Sequence, residues 1–280
     1  MIIKNFALAC TLFAWVPLAT LAQSEGPATE SPKFFIKAYG GYGFVTPGSF
    51  RLTSAVGTSF TVESTGLGAG FHFGGGVGVI LNDFLNLGVD AEYLKSNTLK
   101  ASSSYLGVLG SGVSRDTIGF STLSIIPNIT FKAISKPGYL IYTRIGILLA
   151  VHTQSTHNTY DSSDLVTNHP YPIVATATQT KYSYNLNVGV QAALGVQIRI
   201  TDNLRGFVEL VGNYLPVTPA SSVTNFSSNY YNPGPTYQTT ASGKINVTYK
   251  KSGDTANGQG AASTFDVNYV GLNLGVTYRF

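Results

Sequence analysis

The chain is poor in cysteine, tryptophan and charge: of 280 residues one is Cys, one is Trp and 11% are charged. The lone cysteine, Cys10, sits in an amino-terminal apolar run, so a disulfide scaffold is excluded. The formal net charge is only +4 and no run of Lys or Arg occurs, which gives no footing for a nucleic-acid partner, and none is expected. Long hydrophobic runs are also missing. After residue 22 no apolar stretch approaches the ~18 residues that a membrane helix needs. A chain of this kind that crosses a membrane must cross as strands.

Glycine is abundant, with 31 residues, and 12% of the chain is aromatic, a composition suited to many strands whose surface need not face water. Met1 to Lys4 gives a short positive start, Phe6 to Leu21 an apolar run, and Thr20-Leu21-Ala22 a small-residue cleavage site. Residues 1–22 are therefore expected to be a secretory signal peptide. Leu8-Ala9 before Cys10 faintly resembles a lipoprotein site, but the apolar run continues past it. Cleavage removes Cys10, Trp15 and Lys4 and leaves a formal charge of +3. Residues 23–33 are polar and contain proline, and are expected to be a disordered periplasmic leader.

From residue 34 the pattern alternates with a period of two, in eight segments: 34–45, 67–81, 85–93, 118–132, 139–152, 182–199, 204–214 and 266–280. In 182–199 the alternation is long and regular, with Tyr182, Tyr184, Leu186, Val188, Val190 and Leu194 on one side and Asn185, Asn187, Gly189, Gln191 and Gln197 on the other. Pro127 weakens the fourth segment, because proline lacks the ladder's N–H. The connections alternate in length. Residues 82–84, 133–138 and 200–203 are short turns, whereas 46–66, 94–117, 153–181 and 215–265 are long. Transmembrane barrels show this asymmetry, with short periplasmic turns and long extracellular loops. Aromatics fall at both ends of the segments: Phe34, Phe131, Tyr139, Tyr278 and Phe280 at one, and Tyr42, Phe44, Phe71, Tyr93, Tyr182, Tyr184 and Tyr214 at the other. Half of the opposite-face positions are Gly, Ser, Asn or charged, which is too small and polar for the dry core of a soluble barrel. The expectation is an all-β domain over 34–280: an eight-stranded antiparallel up-and-down transmembrane β-barrel with long extracellular loops.

The last segment is the most specific. Asn273, Gly275, Tyr278 and Phe280 fit the pattern polar-x-Gly-x-x-aromatic-x-aromatic at a carboxy terminus, which resembles the assembly signal of bacterial outer-membrane β-barrels. Over residues 34–280 the chain is similar to the small eight-stranded barrels of the OmpA, OmpX and OmpW kind. That resemblance implies a Gram-negative outer membrane with loops at the cell surface. It also implies the barrel assembly machinery as a partner, outer-membrane lipids including lipopolysaccharide as surroundings, and a monomer. The function so implied is a non-enzymatic surface protein, structural or binding an extracellular ligand through its loops.

Five inward charges, Lys37, Asp90, Glu92, Arg144 and Glu209, fall at similar heights above the turns, and buried charges persist only when paired, so a network across the lumen is expected. His72 shares that face. Gly74-Gly75-Gly76-Val77-Gly78 lies inside a strand with no helix after it, so a nucleotide loop is not expected. The third long connection holds His152, His157, Asp161, Asp164 and His169, which match no compact ligand motif; no metal, cofactor or catalytic site is expected there. The alternative is a lipid A-modifying enzyme or protease at the outer rim, or a narrow channel for small solutes. No histidine begins the His-x-Ser pattern of the deacylases. The fourth connection carries Asn and Ser with Phe226, Tyr230, Tyr231, Tyr237 and Tyr249, a contact-making mixture. Within it, 244–250 alternates again and suits a hairpin with 222–230, either extending the barrel above the membrane or making ten strands.

Overall fold

The structure, a computed structural model, describes residues 33–44, 46, 50–56, 59–65, 67–107, 110–164, 173–231, 238–250 and 259–280. The expected signal peptide, nearly all of the leader, His169 and Tyr237 lie outside them. The described residues form one sheet of fifteen strands and no helix. In chain order these are β1 (Phe34–Phe44), β2 (Phe50–Val56), β3 (Ser59–Thr65), β4 (Gly70–Ile80), β5 (Leu85–Ser96), β6 (Leu99–Gly107), β7 (Gly110–Ser135) and β8 (Tyr139–Asp164). They continue as β9 (Ile173–Tyr184), β10 (Asn187–Arg199), β11 (Leu204–Val217), β12 (Pro219–Tyr231), β13 (Gln238–Lys250), β14 (Gln259–Ala261) and β15 (Phe265–Arg279).

Eight of them close on themselves. The order β8-β10-β11-β15-β1-β4-β5-β7, completed by pairing of β7 with β8, is a ring in which every contact is antiparallel. Ring neighbours follow chain order, and the remaining strands are inserted only where the connections are long. The seam is tight. Phe34 and Phe280 exchange both backbone hydrogen bonds at 3.0 Å, and their rings stack with centroids 6.2 Å apart.

The long connections are not loops, which corrects the expectation. They carry β2, β3, β6, β9, β12, β13 and β14, and β7 and β8 run on for 26 residues each to support them. The result is a wall of strands rising from one side of the ring. The hairpin anticipated in the fourth connection is there, Ser221 pairing with Thr248 through to Tyr231 with Gln238, but it stands at the edge of the wall and adds no strand to the ring. Pro127 leaves its mark: the β7–β8 ladder has no register pair at Ile126 or Pro127, while pairing to β5 continues through both.

Around the ring the outward positions are apolar and exposed, including Phe73, Val77, Ile147, Val188, Leu210 and Leu274. The inward positions divide into two layers. Charged and polar groups fill the middle. Above them, on the side of the wall, an apolar cluster packs Phe120, Leu148, Val211, Leu215, Val217, Val267 and Tyr269. The lumen is thus dry in its upper layer, where the sequence pattern, with half of the inward positions Gly, Ser, Asn or charged, suggested no dry core.

A second correction follows from a break at Asn185–Leu186. The long alternation over 182–199 is two strands, and the face that points outward changes between them. Leu186 and Val188 face out, but Tyr184 turns inward against Phe120 and Phe265. Tyr182 and Tyr184 are therefore pocket residues and not part of an aromatic girdle.

Candidate functional site: a plugged lumen and a tyrosine-lined mouth

Arg144, on β8, is the hub of the lumen. It is 2% exposed, and its guanidinium grips Glu209 of β11 twice, Nη2 donating to Oε2 at 2.7 Å and Nε to Oε1 at 3.1 Å. Nη1 reaches Asp90 of β5 at 3.3 Å and donates to the Gln191 amide oxygen of β10. Lys37 of β1 joins Asp90 at 2.7 Å. A planar fork with five donors suits such a crossing, because it satisfies carboxylates from several strands at once.

Glu92 is placed beside this group and is in no ion pair among the described residues. Its carboxylate accepts from the hydroxyls of Tyr39 at 3.0 Å and Tyr269 at 3.1 Å, and from Gln191 Nε2 at 3.4 Å. Glu209 takes two more donors, Tyr142 at 2.9 Å and Asn273 Nδ2 at 3.2 Å. His72 closes the cluster, its Nε2 bonded to Asn273 Oδ1 and its ring stacked on Tyr269 at 5.0 Å. Tyr269 and His72 were weakly marked in the sequence, each being one inward residue in an alternating strand. Asn273 has two duties: it belongs to the terminal pattern and it is a fully buried member of the network.

These large side chains fit because glycines face them. A Cβ at Gly76 would lie 2.1 Å from Asp90 Oδ1, one at Gly195 2.3 Å from the Tyr142 ring, and one at Gly275 2.5 Å from Phe207. The glycine-rich run of β4 is thus a set of hollows for neighbouring side chains. Beneath the network, toward the short turns, a cavity of about 40 Å³ borders Lys37, Tyr142, Arg144 and Glu209, on the scale of a water molecule or so.

The other feature is at the mouth, where ring and wall meet. A cavity of about 300 Å³ is lined by Leu67, Ile118, Tyr182, Tyr184, Tyr249 and Phe265, with Ser155 and His157 beside them. Its polar groups are partnered within the protein: Ser155 with Tyr184 at 2.7 Å, Tyr249 with Ser222 at 3.0 Å, and His157 Nε2 with Asp116 at 2.8 Å. Burial pushes the Tyr184 hydroxyl well above the usual phenol range, so it stays neutral. Of the candidate cluster in the third connection, His152 is exposed on the outer face and Asp161 is exposed higher up, so neither joins His157. Among the described residues no three of His, Cys, Asp and Glu gather as a metal site.

No protein-family profile matches this sequence, and no curated protein does. Solved structures do show likeness. A major outer membrane protein from Thermus thermophilus is 10% identical over 88% of this chain and 99% of its own, with a TM-score of 0.35. The outer membrane protease OmpT of Escherichia coli is 7% identical, covering 89% and 94%, with a TM-score of 0.26. A FadL homologue of Pseudomonas aeruginosa is 8% identical, covering 89% and 90%, with a TM-score of 0.22.

Proposed function

We propose that this chain is a monomeric, eight-stranded up-and-down transmembrane β-barrel of a Gram-negative outer membrane, of the OmpA, OmpX and OmpW kind. In this reading it is plugged, non-enzymatic and surface-exposed, and it meets an extracellular ligand with its wall and mouth pocket. One observation carries the reading: the same closed ring presents an apolar belt outside and a filled, hydrogen-bonded lumen inside. In water such a belt would be a large aggregating surface. In hydrocarbon it costs nothing, and the ring leaves no unpaired edge there.

The test is protease shaving of intact cells. Trypsin is expected to cut at Lys100, Lys181 or Lys244, on the wall, and to reach Lys136 and Arg205 only after the outer membrane is permeabilised. Cleavage at Lys136 in intact cells would reverse the topology.

The terminal aromatics serve assembly in this account, with the barrel assembly machinery binding the last strand before it closes on β1. Phe280 is exposed and, among the described residues, stacks on the rings of Phe34 and Tyr278. Phe280→Ser is expected to lower the folded, heat-modifiable population in the outer membrane several-fold with export unchanged. Normal folded yield would count against the role of Asn273, Gly275, Tyr278 and Phe280 as a signal.

A hydrolase reading has one observation in its favour, the His157–Asp116 pair with Ser155 on the same pocket wall. His157→Ala is expected to leave surface display and the lipid A mass spectrum as in wild type. A shifted lipid A spectrum, or loss of a peptide cleavage, would establish the enzyme.

A further inference from the structure

The lower rows of the wall's outward face are segregated in charge. Its rows can be followed strand by strand through the register. Above Leu123, an exposed apolar residue of β7, one row runs Gly119, Thr156, Lys181, Val223 and Asn246 across β7, β8, β9, β12 and β13. The next runs Lys100, Thr117, Asn158, Gln179, Asn225 and Lys244, starting from β6. Above that come Ser102, Arg115, Tyr160, Ala177, Ser227 and Ser242. These three rows hold four cations and no carboxylate. Asp116 and Asp161 fall on the inner face, Asp116 bonded there to His157, while Asp164 at the end of β8 pairs in register with Ser111, above these three rows.

Lys100, Arg115, Lys181 and Lys244 are all exposed, and none is in an ion pair among the described residues. Between them the middle row is already ordered: Gln179 Nε2 donates to Asn158 Oδ1 at 3.0 Å, and Asn158 Nδ2 to Thr117 Oγ1 at 3.3 Å. A groove of about 470 Å³ runs along this face beside Arg115, Thr117, Asn158, Tyr160, Gln179 and Asn225. Amides, hydroxyls and an exposed tyrosine ring suit sugar hydroxyls and sugar faces, and free cations suit phosphate.

Height identifies the source of such a ligand. From Leu123 to Thr117 the strand climbs ~20 Å, which at a tilt of 35–45° is ~14–16 Å above the apolar belt. That is the level of glycolipid head groups, and the outward face looks directly at them. Resting on the barrel reading above, we propose that this face binds the phosphorylated core oligosaccharide of the glycolipids that surround the barrel in the outer leaflet.

The experiment uses the folded full chain in detergent micelles, with fluorescent lipopolysaccharide carrying a phosphorylated core as the probe. Four neutral exchanges, Lys100→Gln, Arg115→Gln, Lys181→Gln and Lys244→Gln, are made together. Lys33→Gln with Lys136→Gln, at the opposite end, is the control. The fourfold variant is expected to stay heat-modifiable and to bind roughly 10- to 100-fold more weakly, and the control to bind as wild type. Wild type is expected to lose a similar factor on core dephosphorylation and on presentation of lipid A without core. Unchanged binding by the fourfold variant, or lipid A bound as tightly as the full glycolipid, would overturn the proposal. Soluble phosphorylated core bound as tightly as the glycolipid would overturn its assignment to the membrane. Should the barrel reading itself be wrong, wild type would lack heat-modifiable folding, which is a separate result from any of these.

Discussion

Arg144→Met is expected to cost the folded barrel about 3–5 kcal/mol in urea unfolding from vesicles, the loss seen when one partner of a buried ion pair is removed. The substitution keeps most of the side-chain volume and deletes the bonds to Glu209, Asp90 and Gln191. Glu209 would then lie 2% exposed with the Tyr142 hydroxyl and the Asn273 amide as its hydrogen-bond donors among the described residues. The double exchange Arg144→Met with Glu209→Leu removes the stranded charge and should recover most of the loss. If the single and double variants are equally unstable, the pair contributes by shape and not by charge. The same bonds close the lumen. Wild type should therefore show at most rare, small openings in planar bilayers, and Arg144→Ala, which also empties volume, should open more often. Steady porin-sized conductance of wild type would contradict the plug.

The second large effect is steric. Gly195→Val places a branched side chain where even a Cβ would be 2.3 Å from the Tyr142 ring, and the ring cannot retreat without giving up Glu209. Overpacking of this kind costs about 1–3 kcal/mol or more, and the lost hydrogen bond to a carboxylate adds to it. Gly212→Val, on the neighbouring strand β11, meets open space and should fold as wild type. Refolding yield into detergent, read from heat-modifiable migration, separates the two. Equal yields would mean that Gly195 does not face the lumen.

The ring strands were legible because a strand with an exposed apolar side and a packed polar side must alternate with a period of two. Four of the five inward charges read from the pattern, Lys37, Asp90, Arg144 and Glu209, each interrupt the small side of an alternating segment and meet in the structure through ion pairs. Glu92 shows the limit. Its sign suggested an ion pair, but its partners are Tyr39, Tyr269 and Gln191, and hydroxyl or amide donors on alternating strands carry no mark of what they face.

The wall was hidden because its strands are polar on both sides. β9 and β12, rich in Thr, Ser and Asn, have no apolar face to set a period, so they look like loops until the register of β9 on β8 and of β12 on β9 is known. Only 244–250 alternated enough to suggest the hairpin. The inward turn of Tyr182 and Tyr184 was hidden by two residues, Asn185 and Leu186. The break they make leaves the apparent alternation unbroken while changing the side that faces out.

The closure of the ring between β1 and β15 can be measured directly. The mature chain is expected to contain no cysteine, so a cysteine pair introduced at the seam reports without background. Ala38 and Val276 are register partners and both are exposed outward. Antiparallel partners have Cα atoms ~4.5–5.5 Å apart, within disulfide range. Ala38→Cys with Val276→Cys, oxidised in native outer membranes, is predicted to cross-link in nearly every folded molecule, whereas Ala38→Cys with Leu272→Cys is predicted not to. Absence of the first bridge, or formation of the second in its place, would contradict a closed eight-stranded ring.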